Sequence, residues 1–327
     1  MISKVVATVK NSKGPETPKE AMHLYFKGMA MGVADLIPGV SGGTIAFIVG
    51  IYEDLLAAVS SVNKETLDRF RSDGFFAALE TIHIKFGMVL FAGIMTSMLL
   101  LARVMHYLIT EQPIVTWSFF FGLICASIPL IWKQIPKGQL HVRLIFLIIG
   151  TVFAYVIVGM IPVTTPDAPW FITLCGIIGI TAMILPGISG SFLLLMMGKY
   201  EMITAALKNP TNSANIQTLI LFAIGTGTGL LAFSRVLKYF LERFRIQTMT
   251  FLTGVLIGSL RKVWPWKEVL ETKVIRGKTR ILREANVFPQ SFNLEVILAL
   301  VLFIVGIFVI VLLEMKSRRP SSATHHA

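Results

Sequence analysis

Apolar residues run along this chain in unbroken stretches, not in the alternation of a half-buried strand or the one-sided stripe of a surface helix. Six stretches, at 86–109, 116–132, 141–160, 217–238, 248–263 and 294–313, approach the roughly 20 residues a helix needs to cross a ~30 Å hydrocarbon layer. Short segments rich in lysine and arginine separate them. The pattern predicts an all-α, polytopic integral membrane protein. Composition agrees: with 54% hydrophobic and 15% charged residues and a mean hydropathy of +0.74, the chain lacks the polar surface to cover a water-soluble globule.

The formal net charge of +12 is carried in loops and tails. That fits the cation excess of cytoplasmic loops and attraction to anionic lipid headgroups, and argues against a nucleic-acid partner. Residues 1–22 have scattered lysines and no apolar core ahead of a small-residue cleavage site, so they read as a soluble tail and not as a cleaved signal. Cys125 and Cys175 lie in apolar stretches without metal-ligand spacing, and His325 and His326 stand in a polar tail away from carboxylates. No metal or other cofactor is expected.

The chain also repeats itself. Residues 28–59 align without a gap to residues 176–207, matching Pro38, Gly39, Ser41, Gly42, Gly50, Tyr52 and Glu53 to Pro186, Gly187, Ser189, Gly190, Gly198, Tyr200 and Glu201. Further on, Arg103, Tyr107, Gly122, Ser127 and Trp132 match Arg235, Tyr239, Gly254, Ser259 and Trp264. Transporters are often built from such duplicated units. The expected organisation is a soluble tail (1–22), a first transmembrane repeat (23–160), a second (161–315) and a polar C-terminal tail (316–327).

Each repeat opens with a segment too long for one crossing. A straight helix from residue 24 to 59 would measure about 54 Å, against a ~30 Å core. Proline and glycine at Pro38, Gly39, Pro186 and Gly187 mark the expected helix breaks. Non-helical backbone at that depth survives only where protein buries it or it lines a wet cavity. If each broken segment is a re-entrant pair of half-helices, each repeat crosses three times and the second is inverted; if it crosses fully, the repeats are parallel. Lysine and arginine placement favours the re-entrant, inverted arrangement with the N-terminus inside. The basic segment 261–283 then lies outside, against the rule.

A serine–glycine turn opening a helix offers free N–H groups and the positive end of a helix dipole, which attract an anion. Two such turns meeting near the midplane would make a substrate site from Ser41, Gly42, Gly43, Thr44, Ser189, Gly190 and Ser191. A plainer reading makes them kinked spans with small residues for close packing; the duplication weighs against it. Arg103 and Arg235 stand in apolar stretches, where charge is costly. Guanidinium forks suit phosphate oxygens, and snorkelling to the interface is the alternative. Asp35 breaks the symmetry, its partner being Met183. A single carboxylate near a transport site is a candidate for proton or sodium coupling, or for a helix-end or structural hydrogen-bonding role. Glu53 and Glu201 are further ion-coupling candidates that either pair with the arginines or end a half-helix at the interface. Lys27 and Lys199 read as interfacial anchors.

The strings GVADLIPGVSGGTIAFIVGIYE and LPGISGSFLLLMMGKYE, with GSLRKVWPWK in the second repeat, closely resemble the polyprenyl-phosphate transporter family called PopT, formerly a domain of unknown function. The resemblance covers about residues 23–311. It implies an ion-coupled flippase that returns undecaprenyl phosphate from the outer to the cytoplasmic leaflet of a bacterial inner membrane, where the lipid serves as carrier for cell-wall and surface polymers. Oligomeric state is left open. One rival is an integral-membrane undecaprenyl-pyrophosphate phosphatase with a PGxSRSG turn, but PGVSGG and PGISGS lack that arginine and no glutamate-rich partner motif or metalloenzyme signature occurs. A carrier for a small soluble anion is harder to exclude, because the same turns would hold free phosphate.

Overall fold

The structure, a computed structural model, describes residues 8, 12–37, 40–136, 139–163, 165–275 and 278–317. Among them α1 (Pro18–Asp35), α2 (Gly42–Ile48) and α3 (Tyr52–Ser60) are followed by the short helices α4 (Lys64–Ser72) and α5 (Phe75–Thr81). Three long helices come next, α6 (Ile84–Glu111), α7 (Pro113–Gln134) and α8 (Leu140–Val158). The second half runs in the same order through α9 (Pro169–Ile184), α10 (Gly190–Met196), α11 (Tyr200–Lys208), α12 (Ser213–Arg243), α13 (Arg245–Val263) and α14 (Leu294–Ser317). A two-stranded antiparallel hairpin, β1 (Lys267–Ile275) and β2 (Lys278–Asn286), precedes α14.

The helix boundaries follow from local chemistry. Thr17 caps α1 by accepting from the Glu20 N–H (3.2 Å), with Pro18 in the first turn, where its missing donor costs nothing. The tight turn between α6 and α7 is closed by the Thr116 hydroxyl, which donates to Leu108 O (2.9 Å) and Gln112 O (2.7 Å). The same device recurs between α12 and α13, where Thr248 donates to Phe240 O (3.0 Å) and Phe244 O (2.9 Å).

By length and composition α6, α7, α8, α12 and the Leu294–Leu312 stretch of α14 can each cross a membrane. The protein is therefore a polytopic α-helical membrane protein. The stretch expected at 248–263 lies in α13, which is not apolar enough to qualify, for a reason its surroundings make plain. Thr250, Leu252, Thr253, Val255 and Leu256 are fully buried, so protein and not lipid is their solvent. The two threonine hydroxyls are satisfied by Ile246 O (2.6 Å) and Met249 O (2.7 Å) one turn back.

Both broken segments return to the end of the bundle from which they start. At one end Phe86 N–H donates to Lys13 O (3.4 Å), Lys85 N–H to Ser12 Oγ (3.2 Å) and His83 N–H to Ser61 Oγ (3.4 Å). The chain thus leaves through α1 and comes back through α2 and α3, which are bent by 119° to each other. In the second half, Val163 N–H donates to Met196 O (2.8 Å) and the Lys199 ammonium grips Thr165 O and Asp167. That brings the end of α10 back beside the strand of chain that feeds α9. Lys199 is a buried clamp, 3% exposed, and not the interfacial anchor its sequence position suggests. Near the finish of α12, Arg235 donates to Val62 O, and just beyond it Arg245 pairs with Glu53. This helix, about 46 Å long, therefore finishes at the end where α1 begins, and the α9–α11 unit starts from the opposite end.

Four helix pairs form the body: α1 with α6, α9 with α12, α8 with α13 and α7 with α14. Glycine sets their separation. A Cβ on Gly93 would fall 2.1 Å from Tyr25 O, one on Gly225 2.0 Å from Thr173 O, one on Gly254 2.2 Å from Leu147 O and one on Gly122 2.2 Å from Phe303 O. Helix backbones in contact gain dispersion and weak C–H···O contacts where lipid offers no hydrophobic drive for association.

The all-α expectation misses the hairpin at 267–286. Its strands pair with register shifts around Glu271, so the period-two signal that would betray a strand is interrupted. Substituting Gly254→Val forces α8 and α13 apart. We expect a loss of about 1–3 kcal/mol or more, read as a lower melting temperature in detergent; a native melting curve would contradict this packing.

Candidate functional site

The residues flanking the expected break in the first half meet the second proline–glycine turn inside the bundle. Pro186 is fully buried, and Gly187 holds φ at +89° against the Ser259 side chain, a left-handed conformation that only glycine adopts cheaply. Pro38 and Gly39, the expected break in the first half, lie outside the described residues; α1 ends at Asp35 and α2 starts at Gly42 on either side of them. Among the described residues, three hydrogen bonds tie one broken segment to the other. Ser41 Oγ donates to Met183 O (2.8 Å), Gly187 N–H donates to Thr44 Oγ1 (2.8 Å) and Tyr52 OH donates to Ile184 O (3.0 Å). Ser41, Thr44 and Tyr52 are each at most 2% exposed, so none of these bonds competes with water.

The turns differ in how their amides are used. In the first, Gly42 N–H donates to the Asp35 carboxylate (2.7 Å) and Gly43 N–H to Ser41 Oγ (3.1 Å). Asp35 thus lies where an anion would, at the start of α2. In the second, Met183 replaces that carboxylate and no side chain caps α10. Instead the Ser189 and Ser191 hydroxyls bond each other (2.8 Å). Ser189 and Gly190 are buried, and Ser191 is exposed.

The remaining expected residues are not drawn into this junction. Arg103 is exposed on α6, and Arg235, exposed on α12, bonds the chain after α3. Glu53 makes a bidentate pair with Arg245 (2.7 and 3.1 Å), not with Arg103 or Arg235. Glu201 sits in the first turn of α11. Tyr52 joins the turns although in the sequence only its place in the repeat marks it, and the receiving carbonyls at Met183 and Ile184 have no side-chain signal.

Beside the junction a cleft of about 680 Å³ opens between α8, α12 and α13. Leu185, next to the second turn, and Phe153, Phe233, Phe240, Phe244 and Phe251 line it. Among its lining residues Gln247 and Thr248 are the polar ones. Such a slot suits a chain of methyl and methylene groups and repels water.

A polytopic helical bundle whose two non-helical turns are bonded together in its interior has the architecture of a membrane transporter. The profile of the family described as undecaprenyl phosphate translocase-like matches residues 31–280, and the chain belongs to that family. It is 41% identical over 302 residues, 90% of this chain and 96% of the relative, to a protein of Vibrio cholerae serotype O1 named polyprenyl-phosphate transporter. A Staphylococcus aureus protein of the same name is 28% identical over 253 residues, 73% of this chain and 85% of its own. No solved structure matches. These relations place the chain among transporters and not among enzymes, which removes the phosphatase reading.

Substituting Thr44→Val strands the Gly187 N–H in a buried site. A loss of about 1–3 kcal/mol in stability is expected, with recovery in Thr44→Ser. Equal melting temperatures for Thr44→Val and the native protein would show that the two turns are held by something else.

Proposed function

We propose that this protein is a flippase for a polyprenyl phosphate, undecaprenyl phosphate in the first instance, carrying it from the outer to the cytoplasmic leaflet of a bacterial inner membrane. The observation that carries the reading is the bonded pair of turns at one end of an apolar cleft. A lipid phosphate needs polar groups for its head at a depth where water is scarce, while its isoprenoid tail stays in an apolar slot. A soluble anion would have no use for the cleft.

On this reading the two halves are inverted repeats, and the starts of α1 and α9 lie at opposite membrane faces. The hydrogen bonds between the turns describe a closed state. Opening them would free the Ser41 and Thr44 hydroxyls and the Gly187 amide to join the Gly190 and Ser191 amides at the start of α10 in holding phosphate oxygens, charge-assisted bonds stronger than those they replace. Alternating access would then amount to one half rocking against the other about this junction.

Asp35 supplies a route to ion coupling. Its carboxylate holds the Gly42 amide that a phosphate would otherwise use, and two anions cannot share one helix start without repelling. Neutralising Asp35 with a proton, or pairing it with sodium, would release that amide and admit the headgroup. Arg103 and Arg235, each about two turns from its helix end, would contact the phosphate during approach from either face.

Leaflet-resolved transport of undecaprenyl phosphate in proteoliposomes, with proton and sodium gradients varied separately, tests the proposal. Native protein should speed equilibration between leaflets, and absence of transport under every gradient would refute it. Asp35→Asn should abolish the dependence on one gradient, and an unchanged dependence would remove the coupling role. Arg103→Ala and Arg235→Ala should each slow transport about tenfold, the effect of losing one charge-assisted contact, with normal folding. A native rate in either would withdraw that arginine.

A further inference from the structure

At the end of the bundle away from the N-terminus, α10, the last turn of α13 and the β-hairpin enclose a recess of about 340 Å³. It adjoins a second recess of about 590 Å³ that shares Arg261, Arg283, Glu284 and Asn286. Four cations, Arg261, Lys262, Lys267 and Arg283, face one carboxylate, Glu284, in the first recess. Lys262 and Lys267 lie 3.4 and 3.6 Å from the same Glu284 oxygen, so two ammonium groups share a single counter-charge. Arg261 is fixed over the Tyr155 ring at 4.3 Å and bonds Tyr155 O, Lys262 stands 5.3 Å from the Phe192 ring, and Lys267 stands 4.8 Å from the Trp117 ring.

We propose that this recess is the loading site for a phosphate-bearing headgroup, a chemistry common to a lipid phosphate and to free phosphate. The inference rests on the transporter reading and gives it a first binding step. Among the lining residues the cations exceed the one carboxylate by three charges, and aromatic rings partly screen them from water, which suits the recess to an anion. Its other wall is apolar, with Phe192, Leu195 and Met196 of α10 beside Met160 and Ile161, so an amphiphile would be held at both ends. From there α10 leads back about 10 Å to Ser189 and the second turn. The cations also violate the positive-inside expectation for this end, and a role in binding explains their place.

Burial lowers the Lys267 pKa to about 8, Lys262 pushes in the same direction, and Glu284 restores only part of the loss. Burial raises Glu284, but the two lysines outweigh it and leave its pKa lowered. An ammonium desolvated in this way costs stability and gains from an added anion.

Binding of farnesyl phosphate, inorganic phosphate and uncharged farnesol to the full-length protein in nanodiscs, by calorimetry, tests the site. Farnesyl phosphate should bind and farnesol should not. Lys267→Met should weaken binding about tenfold or more while the melting temperature stays level or rises. Arg283→Gln, on the exposed rim, should weaken it in the same direction and serves if Lys267→Met does not fold. Glu284→Gln should tighten binding, because it removes the competing carboxylate; a purely structural ion network would leave affinity unmoved. Equal affinity for inorganic phosphate would assign a free anion as the ligand, and preference for farnesyl phosphate a lipid. Native affinity in both Lys267→Met and Arg283→Gln, or equal binding of farnesol, overturns the recess. Should native protein bind farnesyl phosphate here yet move no lipid between leaflets, the transport reading falls and the site stands.

Discussion

Backbone that leaves the helix inside a bilayer must find hydrogen-bond partners in protein, because hydrocarbon offers none and each orphaned group costs several kcal/mol. This protein breaks two helices inside its bundle, and groups flanking each break bond to the other. Ser41 and Tyr52 give protons to carbonyls that the second turn exposes, and Gly187 gives one to Thr44. Anything that separates the two segments must bring an acceptor for the Gly187 amide and donors for the Met183 and Ile184 carbonyls.

The bundle around the junction is organised to keep it dry without making it rigid everywhere. Glycines let α1 lie on α6, α9 on α12, α8 on α13 and α7 on α14 at backbone contact, and these four tight pairs can behave as stiff units. The looser contacts lie between pairs, where the apolar cleft opens beside Leu185. Helix α13 shows the consequence for sequence. Wrapped by neighbours, it carries threonines and a serine that a lipid-facing helix would replace with leucine or isoleucine.

Charge is distributed with the same economy. Glu53 and Arg245 close an exposed bidentate pair at the end where α1 begins, a contact worth little in stability. Lys199 is fully enclosed and paired, and holds the end of α10 against the chain that feeds α9. The recess at the hairpin end is different in kind, because there cations outnumber carboxylates in a partly buried space.

Much of this was legible in the residues alone. Uninterrupted apolar runs determined the helical membrane class, since no other solvent tolerates them, and the duplicated PG-x-SG strings located both interruptions because proline and glycine act on their own backbone. Those are local effects. What the sequence could not reveal is which carbonyls receive the serine and tyrosine hydroxyls, which amide the Asp35 carboxylate accepts from, that Arg103 and Arg235 are exposed on their helices, and that Lys199 is buried. The bulged hairpin escaped for a similar reason, its alternation being broken where the register shifts. Each of these depends on contacts between residues more than a hundred positions apart or across a fold in the chain, and only the packed bundle decides which groups meet and which are left to the lipid.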